Sequence, residues 1–452
     1  MAENLLLYIA LAVIALLGVL VLYARGFLSS IQLWFGFLSV ISYAIGSAYP
    51  TFAGGITITE LGAISNAQSL DFQIGNIFRI IGIVLAVACL FGHSERGVHN
   101  ANASSSGVNY FYLYAAALTV SAALCVEHKV LVWFIGEAII VHAIATCMRV
   151  DSRSTVFFIR WLMRSCLIAS WTLYFYMPSM VLLPNTARHI SMDRFAGIFV
   201  HPSIMAIFAV AAFSVEFVRP RSRFYQWFVV LAVVSVVCAQ SEGGYLAFAI
   251  SLVAILSARY VGQRSQKVFF AIASVALTII AIVLGPSLAA GAGDGQRLST
   301  ISGRTDIWGY SLDSISRNPI LGTGTYFLSE SDRASANLGE NAASAHNEFL
   351  HTAGSAGVIG LIFLVLLLIS FWKNAWMSRR TDHWVRVSLF LGLMVNSLVE
   401  QTIAIGNGLS DLYVICVFAF LLTRVGDTSR AGESAAREPE MSRLKQKSGI
   451  EG

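Results

Sequence analysis

The sequence predicts an all-α, polytopic membrane protein with about 12–13 transmembrane helices. Of its 452 residues, 56% are hydrophobic and only 12% are charged, and the charged fraction is about half that of an average soluble protein. The apolar residues are grouped in long runs that require lipid around them, because a soluble core cannot bury that much apolar surface. The formal charge of +5 comes from basic residues at the ends of these runs, so it does not indicate a nucleic-acid partner.

Hydropathy places candidate membrane helices along most of the chain. They cover residues 4–24, 31–49, 77–92, 108–126, 130–148, 156–177, 198–216, 224–239, 243–258, 268–285, 354–372, 385–400 and 409–424. The N-terminus, MAENLLLYIA, lacks a basic n-region and an A-x-A-like cleavage site, so we expect a first membrane helix rather than a removed signal peptide. The six cysteines lie in apolar runs without a C-x-x-C pair, which indicates neither a metal site nor a redox site.

Clusters of Lys and Arg set the predicted orientation, because basic connections stay in the cytoplasm. They fall in alternate connections, at 149–153, 219–223, 259–267 and 373–380. Parity then places four segments outside, at 50–76, 178–197, 240–242 and 286–353. We predict a polytopic membrane domain over residues 1–430 with one large periplasmic loop at 286–353, followed by a disordered cytoplasmic tail at 431–452.

The large outer loop is expected to be ordered and functional. It opens with the flexible stretch GPSLAAGAGDG, continues as a helix from about Thr305 through Ser316, and is broken by Asn318-Pro319 and the tight turn GTGTY. A loop of this length is usually functional or disordered. Disorder is disfavoured by the regular spacing of Trp308, Tyr310, Leu312 and Ile315. The loop leads into a membrane helix whose small residues predict close packing on a neighbour, namely Gly354, Gly357 and Gly360.

Arginines in the outer segments predict an anion site on the periplasmic side. Arginine grips phosphate through a planar, always-charged fork of donors. For any one arginine, contact with lipid headgroups or a structural ion pair is the commoner role. Outer segments are normally poor in basic residues, so the grouping favours a shared site made by Arg194, Arg297, Arg304 and Arg317.

His346, in the polar segment SAHNEFLH, is a candidate acid or base. A histidine can take a proton from a hydroxyl group during its attack on a substrate. A helix-capping role is commoner for a loop histidine, and spacing alone does not separate His346 from His351. Asp306 and Glu348 are further acid or base candidates. Glu242, at an outer turn, and Glu400, at an outer helix end, are candidate partners for a loop arginine.

Two arginines, Arg160 and Arg164, lie within a predicted membrane helix one turn apart. Intramembrane charges commonly mark substrate pathways, but these two lie near the cytoplasmic end, so structural and functional roles are equally open. A transporter or flippase for lipid-linked sugars would explain them. It would also predict an internal repeat between the two halves, and we find none in the sequence.

The motifs of several enzyme classes are missing from the sequence. It has no Walker loop, no G-x-G-x-x-G between a strand and a helix, no H-E-x-x-H and no G-x-S-x-G. ATP-driven transport and metalloprotease chemistry are therefore disfavoured. Soluble-type nucleotide-sugar transferases are disfavoured too, because no predicted cytoplasmic loop is long enough to hold such a domain.

Three segments, taken in order, resemble the O-antigen ligase and O-antigen polymerase superfamily. They are RFAGIFVHPSIMA at 194–206, SGRTDIWGYSLDSISRNPILGTGTYF at 302–327 and AHNEFLHTAGSAGVIGLIFL at 345–364. The similarity runs from about residue 190 to 425, and exopolysaccharide-polymerase members are the most similar. The family often has Asn after the HP pair, where this chain has Ser203.

The resemblance implies an inner-membrane, GT-C-like glycosyltransferase that acts on lipid-diphosphate-linked glycans at the periplasmic face. In such enzymes the glycan is donated from undecaprenyl diphosphate without a metal, and we expect no other cofactor. By motif match, Arg194 and Arg304 would bind the diphosphate, and His346 would activate or orient the acceptor hydroxyl.

We therefore predict a metal-independent polysaccharide polymerase in exopolysaccharide, O-antigen or capsule biosynthesis. Its predicted catalytic residues are His346, Arg304 and Arg194, and its predicted substrate-binding residues are Arg297, Arg317, Asp306, Trp308, Asn347 and Glu348. The expected partners are the undecaprenyl-diphosphate-linked donor, an acceptor glycan, the bilayer, a chain-length regulator and a flippase. The alternative is an O-antigen ligase, which uses the same donor but transfers the glycan to lipid A-core.

Overall fold

The computed structural model describes most of the chain between Ile31 and Thr423. The described residues are 31–53, 70–94, 106–124, 128–183, 193–199, 201–218, 224–260, 298–324, 327–328, 336, 338, 344–377, 383–403 and 410–423. The predicted helices at 4–24 and 268–285 and the predicted tail at 431–452 lie outside them.

The described residues are mainly helical, as the long apolar runs predict. In chain order the helices are α1 Ile31–Ala53, α2 Leu70–Ser94, α3 Ser106–Leu124, α4 His128–Val150, α5 Ser152–Tyr176, α6 Pro178–Val181, α7 Pro202–Glu216, α8 Tyr225–Ala239, α9 Glu242–Tyr260, α10 Leu298–Arg317, α11 Glu348–Met377, α12 His383–Val399 and α13 Ser410–Leu421. Two short strands, β1 Leu182–Leu183 and β2 Arg194–Phe195, pair antiparallel, with Leu182 opposite Phe195.

Five of the described helices are long and apolar enough to cross a membrane, namely α2, α3, α4, α5 and α11. Shorter apolar helices pack among them, including α7, α8, α12 and α13. Large apolar side chains point outwards, as lipid-facing residues do, among them Phe91, Phe175 and Trp227. The prediction of a polytopic, helical membrane protein is confirmed.

The polar contacts at helix ends fall into two sets that alternate along the chain. In one set, the start of α7, the start of α11 and the end of α12 meet through Ser203, His346 and Glu400. In the other set, Arg386 near the start of α12 donates to the carbonyl oxygen of Thr423, just after α13, at 2.5 Å. Such alternation is expected of helices that cross a membrane in turn, and it does not itself set which side is cytoplasmic.

The predicted orientation can be tested by chemical labelling. After a Ser331→Cys substitution, position 331 should react with a membrane-impermeant maleimide added to the periplasm. A reporter fused after Gly452 should behave as cytoplasmic, because the basic connections fix that side. Labelling of position 331 only after the inner membrane is broken would contradict the topology.

The two intramembrane arginines bind the end of helix α7. Nε of Arg164 donates to Oε1 of Glu216 and Nη2 donates to Oε2, both at 2.6 Å, and the two side chains are 1% and 4% exposed. One turn earlier, Arg160 donates to the carbonyl oxygen of Val218 at 2.7 Å. A buried charge that loses its partner is strongly destabilising. These contacts favour the structural role over a substrate pathway.

Helix α11 is interrupted at Gly357, whose backbone has φ 65° and ψ −163°. The turn at 318–324, which follows α10, packs into the interruption. The Val358 N–H donates to the carbonyl oxygen of Pro319 at 2.8 Å, and the Thr323 N–H donates to the carbonyl oxygen of Gly354 at 2.8 Å. The glycine series therefore does allow close packing, but at Gly357 the neighbour is the turn at 318–324 rather than another apolar helix.

Candidate functional site

His346 lies just before helix α11 and faces the carboxylate of Glu400. Its Nδ1 atom is 2.9 Å from Oε2 of Glu400, and the two side chains are 22% and 17% exposed. The backbone of His346 has φ 45°, a left-handed conformation that is uncommon for residues with a side chain and often found at functional sites. The site is therefore partly screened from solvent, and its histidine is held in one orientation.

Glu400 also contacts the start of helix α7. Its Oε1 atom accepts a hydrogen bond from the Ser203 hydroxyl at 3.3 Å. The Ser203 N–H in turn donates to Nδ1 of His201, which caps this helix, at 3.2 Å. Ser203 of the HPS motif and His346 of the HN motif are 143 residues apart in the sequence. Both contact the carboxylate of Glu400.

Asn347 fixes the start of α11 on the end of α12. Its Oδ1 atom accepts from the Leu350 N–H at 3.0 Å, a typical N-terminal helix cap. Its Nδ2 atom donates to the carbonyl oxygen of Leu398, also at 3.0 Å. These contacts give Asn347 a structural role beside His346, and its predicted contact with substrate stays a prediction.

Glu348 is buried and anchors the segment that follows Glu400. Only 1% of the residue is exposed. Its Oε2 atom accepts from the backbone N–H groups of Thr402 and Ile403, both at 2.7 Å, and Oε1 accepts from the Tyr114 hydroxyl at 3.3 Å. These bonds satisfy a carboxylate that would otherwise be costly to bury, so Glu348 positions the site from within the protein.

The GRTDIW segment contacts the same site through Trp308. The indole Nε1–H of Trp308, in α10, donates to the carbonyl oxygen of Ala345 at 2.9 Å. Ala345 and Ile307 are buried together in a small apolar cluster with Phe327. Asp306, on the same helix, is exposed. Trp308 therefore supports the residue that precedes His346.

Of the four arginines of the predicted anion site, the structure describes the side chains of two, Arg194 and Arg317. Arg194 lies in β2, opposite Leu183, and is partly buried. Arg317, 68% exposed at the end of α10, pairs with Asp313 one turn earlier. Arg304 belongs to α10, one turn before Trp308, but the structure does not describe its side chain. Arg297 lies outside the described residues. Their contact with a diphosphate stays a prediction.

Comparison with known families supports the resemblance. Residues 227–365 match the family model described as O-antigen ligase. The predicted superfamily resemblance is confirmed. The O-antigen ligase match extends from α8 into α11 and includes the two polar segments GRTDIW and SAHNEFLH. It supports a glycosyltransferase-like function of the ligase or polymerase type. A search of curated proteins gives no match to the chain.

The roles of Ser203 and Glu400 could not be assigned from the sequence. Glu400 lies outside the segment of the O-antigen ligase match, and the sequence indicated it only as a partner for a loop arginine. The structure instead places its carboxylate against His346 and Ser203. The one signal available beforehand was an acidic residue at the outer end of an apolar helix, where a charge is expensive without a partner.

Proposed function

We propose that the protein is an inner-membrane polysaccharide polymerase with its reaction site at the periplasmic face. It transfers glycan from an undecaprenyl-diphosphate-linked donor to an acceptor sugar hydroxyl, in exopolysaccharide, O-antigen or capsule biosynthesis. The observation that carries the proposal is the 2.9 Å contact between His346 and Glu400, where motif segments far apart in the chain meet. A histidine held by a carboxylate is suited to take a proton from a hydroxyl.

In the proposed reaction, the acceptor hydroxyl attacks the anomeric carbon of the donor. The new carbon–oxygen bond forms as the bond from that carbon to the diphosphate breaks, and His346 takes the hydroxyl proton. The electron pair of the broken bond leaves with the lipid diphosphate. Arg194, Arg304 and Arg297 are proposed to stabilise this charge, since stabilisation of developing charge is usually the largest catalytic contribution.

An O-antigen ligase is the second candidate, favoured by the description of the matching family. The two activities share a donor and differ in the acceptor, which is a growing glycan for a polymerase and lipid A-core for a ligase. The contacts of His346 support the proposed proton transfer, which would be common to both activities. Acceptor choice must therefore be measured.

The test is a reconstitution of the purified protein with a lipid-linked repeat unit, with and without lipid A-core. A polymerase gives a ladder of lengthened, lipid-linked glycans in both reactions. Product found only on lipid A-core would replace the polymerase with the ligase. No transfer to either acceptor, from protein that is monodisperse and correctly inserted, would contradict both candidates.

The same assay should be insensitive to chelation of metals. If arginines carry the charge of the leaving diphosphate, the rate with EDTA should stay within about twofold of the rate without it, since no Mg²⁺ is needed for that role. Loss of activity in EDTA, with recovery on adding Mg²⁺ or Mn²⁺, would mean that the charge-stabilising groups are wrongly assigned.

A further inference from the structure

We infer that Glu400 is a positioning residue for the proposed transfer reaction, with Ser203 fixing its second oxygen. This inference rests on the proposed function and names a residue outside the matched segment. Glu400 would act through His346, by holding the proton on Nδ1 and directing Nε2 to the acceptor hydroxyl. The two ring nitrogens of a histidine are distinct, and the partner of one sets the role of the other.

The contact between His346 and Glu400 is one of four hydrogen bonds that join residues 346–348 to the segment 398–403. His346 binds Glu400, Asn347 binds the carbonyl oxygen of Leu398, and Glu348 binds backbone N–H groups at 402 and 403. The backbone N–H of Glu400 donates to the carbonyl oxygen of Asn396 at 2.8 Å, which continues the bonding of α12. Both partners of the contact are therefore fixed by their immediate neighbours.

The two oxygens of the Glu400 carboxylate have different partners. Oε2 lies against His346 at 2.9 Å, while Oε1 accepts from the hydroxyl of Ser203 at 3.3 Å. Ser203 is itself anchored, because it lies in the first turn of α7 and its N–H donates to His201. A carboxylate held at both oxygens keeps a defined plane, and a supported group of this kind loses less rate to misplacement.

The proton count of the proposed step agrees with this arrangement. Nδ1 keeps its proton and donates it to Glu400, so Nε2 accepts the proton released by the acceptor hydroxyl. The imidazolium that forms lies beside the negative carboxylate, which stabilises it without itself taking the proton. The negative charge of the reaction leaves with the lipid diphosphate, and His346 releases its proton to solvent before the next transfer.

The test compares Glu400→Gln with Glu400→Asp, and uses Gly309→Ala as the control. Gly309 lies in α10, on the same predicted side of the membrane, and an added Cβ atom there would meet no atom within 4 Å. Glutamine keeps the shape of Glu400 but removes the charge that stabilises the imidazolium, so we expect kcat to fall by about 10²-fold or more. KM for the lipid-linked donor should change by less than about threefold, because Glu400 is not expected to bind substrate.

The remaining variants separate a positioning role from a structural one. Glu400→Asp keeps the charge with a shorter reach, and its kcat should lie between those of Glu400→Gln and the wild type. Ser203→Ala removes one hydrogen bond to Oε1 and should lower kcat by about 2- to 10-fold. This variant keeps the inference testable if Glu400→Gln fails to fold. The control Gly309→Ala should match the wild type.

Failure of the inference and failure of the proposed function give different results. A wild-type kcat in both Glu400→Gln and Ser203→Ala, with His346→Ala inactive, would overturn the positioning role and leave the proposed base intact. A higher KM for the lipid-linked donor in Glu400→Gln, with kcat unchanged, would also overturn the positioning role, because that pattern indicates substrate binding. Wild-type activity of His346→Ala would instead contradict the proposed base itself.

Discussion

Replacing His346 with alanine is expected to lower the rate of polymer formation by about 10²–10⁴-fold, the range typical of a lost acid or base group. The side chain is partly exposed and its Nδ1 atom is 2.9 Å from Glu400, so its loss should leave the packed helices intact. Membrane insertion and KM for the lipid-linked donor should therefore stay close to wild type. The measurement is single-turnover glycan transfer at matched protein level in proteoliposomes.

His351→Ala is the matched control for this prediction. The sequence could not separate the two histidines, but their surroundings differ. His351 lies in the first turns of α11, and its ring packs edge-on against Phe327 with centroids 5.5 Å apart. Its replacement should reduce stability more than chemistry. If His351→Ala is inactive while His346→Ala forms polymer, the base is wrongly assigned even though the family resemblance stands.

Helix positions could be predicted because they depend on local composition. The predicted run at 224–239 corresponds to Tyr225–Ala239, and the run at 385–400 corresponds to His383–Val399. Each is an apolar stretch bounded by polar or charged residues, and its preference for lipid is encoded within the stretch itself. The broken helix ending before Pro319 was also predictable, because proline cannot continue a helix.

Contacts between distant segments could not be predicted in the same way. His346 and Glu400 are 54 residues apart, and Arg164 and Glu216 are 52 residues apart. No periodicity links such positions, because each pair depends on how separate helices pack. Glu348 illustrates this, since its polarity alone did not indicate that its carboxylate accepts from the backbone N–H groups of Thr402 and Ile403.

The interruption of α11 could not be predicted from the sequence either, because it too depends on contact with a distant segment. The apolar pattern continues through Gly357, so the sequence predicts an unbroken membrane helix. The break is stable only because the turn at 318–324 supplies carbonyl groups to the N–H groups that the helix leaves unpaired. Backbone groups at membrane depth must be satisfied within the protein, and here the partner lies some 40 residues earlier in the chain.

This junction gives the prediction with the largest expected effect on stability. Gly357→Ala should destabilise the protein by about 3 kcal/mol or more, because φ 65° with ψ −163° is essentially restricted to glycine. A Cβ atom at this position would also overlap the carbonyl group of Ile320, which is backbone and cannot turn aside. The measurements are the thermal midpoint in detergent and the fraction of monodisperse protein.

Two further substitutions show whether the loss comes from the junction or from alanine itself. Gly322→Ala places a Cβ against the backbone of Ser355 from the other side, with φ +70°, and should be comparably destabilising. Gly309, within α10, has no atom within 4 Å of a Cβ, so Gly309→Ala should be neutral or stabilise by up to about 1 kcal/mol. Unchanged melting of both junction variants would contradict the tight insertion of the turn.

The junction also bears on catalysis, because the turn connects α10 to the rest of the site. Trp308 in α10 holds the carbonyl group of Ala345, and Ala345 directly precedes His346. A Gly357→Ala protein recovered in folded form, for example at low temperature, should therefore transfer glycan more slowly than Gly309→Ala at equal folded fraction. Displacement of a catalytic group by about 1 Å can cost about 10²-fold in rate. Equal rates per folded molecule would show that His346 is positioned by α12 alone, through Glu400.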